Sequence, residues 1–223
     1  MSFVAPESLS EQIAKYLAQR IIQGELSPGE RIQEARVVNE LNVSRGSVRE
    51  ALLILEKGYL INILPRRGAV VSDLSERDIC NLYDLYISLL TMLTGSVAER
   101  WQGQQLQPLL EQWHSMKALA VGPDKEAFVS AGFTLMHEAF AVCDNRYLAD
   151  MLENLQPAVH RTYVLAVRRK PETIKEATVF FADIVNAVVK RDKDRIPGIV
   201  RAYGRYQCRL VLSALAQETA ECA

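Results

Sequence analysis

A strong charge of either sign is missing from this sequence. Across 223 residues, 26 Lys and Arg face 27 Asp and Glu, a formal net charge of −1. That excludes a polybasic chain holding nucleic acid by bulk charge, so any basic surface has to be local. Cysteine is sparse as well. Cys80, Cys143, Cys208 and Cys222 stand far apart, with no C-x-x-C pair and no Cys/His spacing of a zinc site. A disulfide framework is not expected, and the thiols read as those of a reducing cytosol. The three histidines, His114, His137 and His160, have no spacing that makes a cluster. No run approaches the ~20 apolar residues of a membrane helix. The opening MSFVAPESLSEQ has no basic segment followed by an apolar block, so no secretory signal is expected. A cytoplasmic protein without a membrane partner follows. There is no internal repeat, no glycine-rich phosphate loop and no nucleophile beside a base. Asp183 and Glu176, seven apart, read as a solvated helix face. An enzyme is therefore not expected.

What is present is 49% hydrophobic residues, enough for a core in one or two domains. Leu9, Ile13, Leu17 and Ile21 recur at helical spacing over residues 8–23. Ser8 with Glu11 forms a capping box at its start, and Gly24 ends it. GELSPGERI is a turn, and EARVVNEL at 34–41 is a short helix. Asn42-Val43 turns tightly into a third helix, 45–57, capped by Ser44 and ended by Gly58. YLINILP and GAVVS then flank Arg66-Arg67-Gly68 as a β-hairpin.

Beyond residue 72 the period is helical to the end. Ser75 with Asp78 opens a helix that reaches about Trp101, and others are expected near 104–120, 124–143, 146–168, 172–191 and 193–218. Gly103, Gly122-Pro123, Asp144-Asn145, Pro171 and the charged RDKD separate them. Pro157 and Pro197 should kink or restart their helices. The expected fold is mostly α. Residues 1–73 are expected to form a winged helix-turn-helix domain of three helices plus a hairpin, and 74–223 an all-helical domain.

The chemistry concentrates in NVSRGSVREALLILEKGYLINILPRRGAVV. Arg45 and Arg49, four apart, share a helix face, while Val48, Ala51, Leu52 and Leu55 form the stripe that holds the helix to its domain. The second helix of a helix-turn-helix puts its N-terminal residues against base edges in the major groove. Arginine donates twice to the O6 and N7 of guanine. Gly46 and Ser47 are small enough for close approach, and Ser47 can donate to a phosphate or a base. A wing tip of Arg66, Arg67 and Gly68 suits the strongly negative minor groove. Cations at a helix N-terminus oppose its macrodipole, which a phosphate-bearing partner explains better than a plain surface does. Residues 44–67 hold five Lys and Arg against two Asp and Glu, whereas residues 1–72 hold nine against eight. The competing reading is an interaction module that turns its winged helix to another protein.

IIQGELSPGERIQE, VSRGSVREALLILEKGYL and PRRGAVV closely resemble the winged helix-turn-helix of the GntR family of bacterial transcription regulators. The helical remainder, opened by DLSERDICNLYDLY, resembles the FCD effector domain of the FadR-type branch, which implies that residues 74–223 bind an effector and dimerise. The resemblance implies DNA contacts at Arg45, Arg49 and Gly68, with Ser47 and Arg67 beside them, and a homodimer on a double-stranded operator. The family's Arg after the Glu that opens the second helix is replaced by Ala35, and Arg36, one place later, is the candidate DNA contact there.

The resemblance also implies a pocket in which many relatives hold a divalent metal through an Asp, a His four residues on and two later His. In this sequence His137 fits the first His. The other ligand positions fall on Phe133, Phe181 and Tyr203, and the pocket's usual Arg and Glu fall on Tyr86 and Leu90. His137 is read as a core or supporting histidine, and no metal or other cofactor is expected. Losing the metal and the Arg removes what would compensate a buried carboxylate. The expected effector is apolar, acyl or aromatic, held by few hydrogen bonds, in a pocket of Tyr86, Leu90, Phe133, His137, Phe181 and Tyr203. The aromatics equally fit a bundle that is filled and takes no effector.

Overall fold

A computed structural model of the protein describes residues 7–170 and 172–221, so Pro171 and Cys222 lie outside the described residues. The chain divides into two units, Met1–Leu74 and Ser75–Ala223.

The first unit contains α1 (Leu9–Ile22), α2 (Glu34–Leu41), α3 (Arg45–Lys57), β1 (Ile61–Leu64) and β2 (Gly68–Val71). Local sequence sets its helix ends. The Ser8 hydroxyl accepts the Glu11 N–H while the Glu11 carboxylate accepts the Ser8 N–H, closing the capping box. Asn42 ends α2 in the left-handed region, φ 52°, and its N–H reaches Val38 O. The Ser44 hydroxyl then accepts the Ser47 N–H at 3.0 Å and starts α3. Ile13, Leu17 and Ile21 of α1 join Val37 of α2 and Val48, Ala51, Leu52 and Leu55 of α3 in one core. Ile61 and Val71, paired across the hairpin, close its lower edge.

The second unit is helical throughout its described residues: α4 (Glu76–Arg100), α5 (Gln107–Val121), α6 (Lys125–Cys143), α7 (Arg146–Arg169), α8 (Thr173–Val189) and α9 (Ile196–Glu221). Helix α4 packs on α6, α7, α8 and α9 and forms the bundle's centre. Its seam with α9 is tight, since a Cβ on Gly204 would lie 2.2 Å from Ile87 Cγ1. Arg191, at φ 58°, donates to the carbonyls of Ala98, Glu99 and Trp101 and lies 4.2 Å over the Trp101 ring. A cation there satisfies orphan carbonyls at the negative end of α4.

Two helices start later than their sequence patterns imply. Residues 102–105 form a turn in which Gln105 Oε1 accepts the Gln102 N–H, which delays α5 to Gln107. The positive φ of Arg191 turns the RDKD segment, which delays α9 to Ile196. Pro197 sits in the first turn of α9, where a missing N–H costs no helical bond. Helix α7 runs on through Pro157 without a restart. Among the described residues, no helix is long and apolar enough to cross a membrane.

Candidate nucleic-acid interface and effector cavity

The outward face of α3 begins with Arg45, Gly46 and Arg49, all exposed, while Val48 and Leu52 anchor the helix from behind. A Cβ on Gly46 would meet only Ser44 Oγ, at 3.6 Å. Internal packing therefore does not demand glycine there, and the backbone of Gly46 lies bare on the outward face. The hydroxyls of Ser44 and Ser47 lie 2.9 Å apart.

Arg49 is already oriented. Its Nε–H donates to Glu34 Oε2 at 3.0 Å across the helix-turn-helix. That leaves the two Nη groups, the outer edge of the fork, for an incoming acceptor. Glu34 was not among the expected site residues. Ala35 is exposed at the family's usual Arg position, and Arg36 is turned from it by about 100° around α2. The Arg36 charge therefore faces a different direction from an Arg at 35.

The wing has a third edge that the turn-rich sequence concealed. Arg31 bridges Val70 in antiparallel fashion, and the Ile32 N–H bonds Ala69 O at 2.9 Å. This brings the Arg31 guanidinium to about 4.0 Å from where a Gly68 Cβ would be. Arg66 and Gly68 both have positive φ, 63° and 73°, and the Arg67 N–H closes the tip on Leu64 O. Three arginines, Arg31, Arg66 and Arg67, thus gather around the hairpin tip. Arg31 was missed because its pairing partner is 39 residues away and leaves no local pattern.

Within the helical unit lies a cavity of about 110 Å³. Tyr86, Leu90, Phe133, Phe181 and Tyr203 line it, joined by Tyr163, Phe180 and Gln207. No Arg, Lys, His, Asp or Glu lines it. The Tyr163 and Tyr203 hydroxyls are 2.9 Å apart, Gln207 Nε2 donates to the Tyr203 hydroxyl at 3.1 Å, and Phe180 stacks on Tyr203 with ring centroids 4.1 Å apart. Burial pushes the Tyr163 hydroxyl up to about 12 and the Tyr203 hydroxyl well above its ordinary value, so both stay protonated. The Tyr86 hydroxyl points to Met136 Sδ at 3.6 Å.

His137 is absent from this lining, which corrects both its place in the pocket set and its reading as a core histidine. Its side chain is exposed, with Nε2 3.0 Å from Gln156 Oε1 and Nδ1 3.4 Å from Glu153 Oε1. Phe133, one turn earlier, faces inward against His160, ring centroids 5.1 Å apart. Four residues advance a helix about 40° past a full turn, enough to leave a buried face from its edge. The metal set implied by the family resemblance does not fit these residues. Two Phe, a Tyr and an outward His offer no imidazole–carboxylate cage. Among the described residues, no group of three or more His, Cys, Asp or Glu could hold a metal ion.

Residues 9–71 match the bacterial regulatory proteins of the gntR family, and residues 81–204 match the FCD domain. The gluconate operon transcriptional repressor of Bacillus subtilis (strain 168) is 31% identical over 171 residues, 74% of this chain and 68% of the relative. An uncharacterized HTH-type transcriptional regulator, YdhC, of the same organism is 26% identical over 201 residues, 88% of each chain. Among solved structures, Escherichia coli McbR/YncC superposes with a TM-score of 0.74 at 19% identity, covering 92% of this chain and 98% of that one. At that identity the likeness speaks for the fold alone. With an N-terminal helix-turn-helix that binds DNA and an FCD effector domain behind it, the chain belongs to the GntR family of bacterial transcription regulators.

Proposed function

We propose that the protein is a ligand-responsive repressor. It binds a short inverted repeat as a homodimer in the cytoplasm, reading bases with Arg45 and Arg49 and gripping the adjacent groove with its wing. The observation that carries this is the exposed cationic start of α3, where Arg49 is braced by Glu34 with its outer fork unoccupied. Ser47, Arg67 and Gly68 contribute backbone and groove contacts, and Arg36 adds phosphate attraction from α2. Two-fold symmetry in such a dimer presents two recognition helices to two half-sites. Four relatives carry repressor in their names, which supports the sign of regulation.

In this reading the helical unit takes an apolar effector without a metal, in the cavity of Tyr86, Leu90, Phe133, Phe181 and Tyr203. A ligand shifts the balance between DNA-competent and DNA-incompetent arrangements only through unequal affinity for the two. The test is selection of binding sites from a random duplex library at two salt concentrations. An enriched inverted repeat with a guanine in each half-site supports the proposal. Sequence-blind binding, or none, sinks it and favours an interaction module that uses the winged helix for protein.

A further inference from the structure

The cavity's polar groups specify more than an apolar ligand. Tyr163, Tyr203 and Gln207 form a closed set at its wall. A phenol hydroxyl has one proton to give and two lone pairs to receive. The hydroxyl pair, 2.9 Å apart, shares a single proton between its two oxygens, whichever one donates. The Gln207 amide adds a donor, its Nε2–H bonding the Tyr203 hydroxyl at 3.1 Å. One of the two phenolic protons is therefore left over, taken by no side-chain hydrogen bond of the pair. Tyr163 is buried and Tyr203 half-buried, and burial raises both hydroxyls, so both stay protonated at physiological pH. An uncommitted donor on an apolar wall is costly once water is displaced, until something else accepts from it.

The lining also excludes charge. It holds no cationic side chain to offset a carboxylate and no carboxylate to hold an amine, so either ion would be stripped of water without compensation. Size sets a further bound. At about 110 Å³ the space is of the same order as the ~150 Å³ apolar cavity that accommodates benzene, and it is partly open at one side. Stacking on Phe180 fixes the Tyr203 ring, so the donor is in place before any ligand arrives.

We propose that the effector is an uncharged molecule with one hydrogen-bond acceptor on a compact apolar body of about one ring, a small ketone, ester or lactone, and that the spare phenolic proton of the Tyr163–Tyr203 pair donates to its oxygen. This rests on the cavity being the effector site, as proposed above.

The test uses the full-length protein and three matched probes: cyclohexanone, methylcyclohexane and cyclohexanecarboxylate. Binding is read by calorimetry and by the ligand-induced rise in melting temperature, on the wild type and on the variant Tyr163→Phe, Tyr203→Phe, Gln207→Met. In the wild type the ketone should bind about tenfold more tightly than the hydrocarbon, the scale of one well-made hydrogen bond in a dry site, and the carboxylate should not bind. In the variant that preference should collapse to about one while hydrocarbon binding persists, which also shows that the cavity survived. Equal affinity for ketone and hydrocarbon in the wild type, preference for the carboxylate, or no binding of any probe would each overturn the proposal. A variant that keeps the full ketone preference would overturn it too. Operator binding is measured separately on the selected duplex. Loss of ketone binding with intact operator binding fails this inference alone, whereas ketone binding without operator binding fails the regulator and leaves the ligand chemistry standing.

Discussion

Glu34 at the start of α2 holds Arg49 Nε on α3 at 3.0 Å, so the helix that supports the recognition helix also aims one of its arginines. Arg49→Ala should cost roughly 1–3 kcal/mol at one base pair per half-site and little on random duplex. Glu34→Ala should act differently. Losing a negative charge near phosphates leaves non-specific affinity equal or higher, while the specific-to-random ratio falls by roughly 2- to 5-fold, the scale of an exposed ion pair. Fluorescence anisotropy on matched and scrambled duplexes checks both. An equal drop on the two duplexes would show that neither residue bears on base reading.

The wing should report in salt rather than in sequence. Arg31→Ala and Arg67→Ala are each expected to reduce the slope of log K against log salt by about one, without changing the preferred site. Gly68 at φ 73° makes a separate prediction. Gly68→Ala should cost roughly 1–2 kcal/mol through backbone strain, read as a lower denaturation midpoint. A slope unchanged by Arg31→Ala would remove that residue from the interface.

Gly132 guards the cavity. A Cβ there would come within 3.0 Å of Phe181 Cζ and 3.4 Å of Met116 Cε. Gly132→Val should fill the space beside Phe181 and abolish probe binding while leaving operator affinity within about twofold, since additive behaviour is expected for distant sites. Probe binding that survives Gly132→Val would place the ligand elsewhere.

His160 gives a pH signature with a definite sign. Burial holds its imidazole below the ordinary value, partly countered by Glu126. The unfolded chain then takes up a proton near pH 6.5 that the folded chain refuses. Stability should fall as pH drops below about 6.5 and level off once the folded imidazole also titrates. Urea midpoints at several pH values should show a shallower acid slope for His160→Gln than for the wild type. Identical slopes would assign the acid sensitivity to other groups.

Arg191 combines two opposing effects, a favourable cap on α4 and an unfavourable φ of 58°. Arg191→Ala loses the cap and keeps the strain. Arg191→Gly loses the cap and relieves about 1 kcal/mol of it. Thermal unfolding should therefore rank the wild type first, the glycine variant second and the alanine variant last. An alanine variant as stable as the glycine variant would mean that the turn relaxes on its own.

Local chemistry was legible in the sequence, and contacts distant along the chain were not. The starts at Ser8, Ser44 and Ser75 read correctly because a cap is written within three residues. Tyr86, Leu90, Phe133, Phe181 and Tyr203 were placed through family spacing, and they do line one cavity. Tyr163 and Phe180 also line it and were overlooked, because a Tyr or Phe on a mixed helical face carries no mark of what it faces. His137 failed for a geometric reason, since four residues along α6 rotated it from the cavity wall to solvent. Glu34 and Arg31 act through partners 15 and 39 residues away, beyond the reach of any periodicity.

The seam of Gly204 against Ile87 works as a datum. Helices α4 and α9 touch there with no room for a methyl group, so their separation has no slack at that level. Tyr203 and Gln207 extend from α9 on one side of that point, and Tyr86 and Leu90 flank Ile87 on α4. The tolerance with which Tyr203 and Gln207 face α4 is inherited from a single pair. Divergence at either position should therefore be correlated, with a larger residue at 204 tolerated only alongside a smaller one at 87. A library randomised at both positions and sorted for folded protein would recover such combinations as compensating pairs.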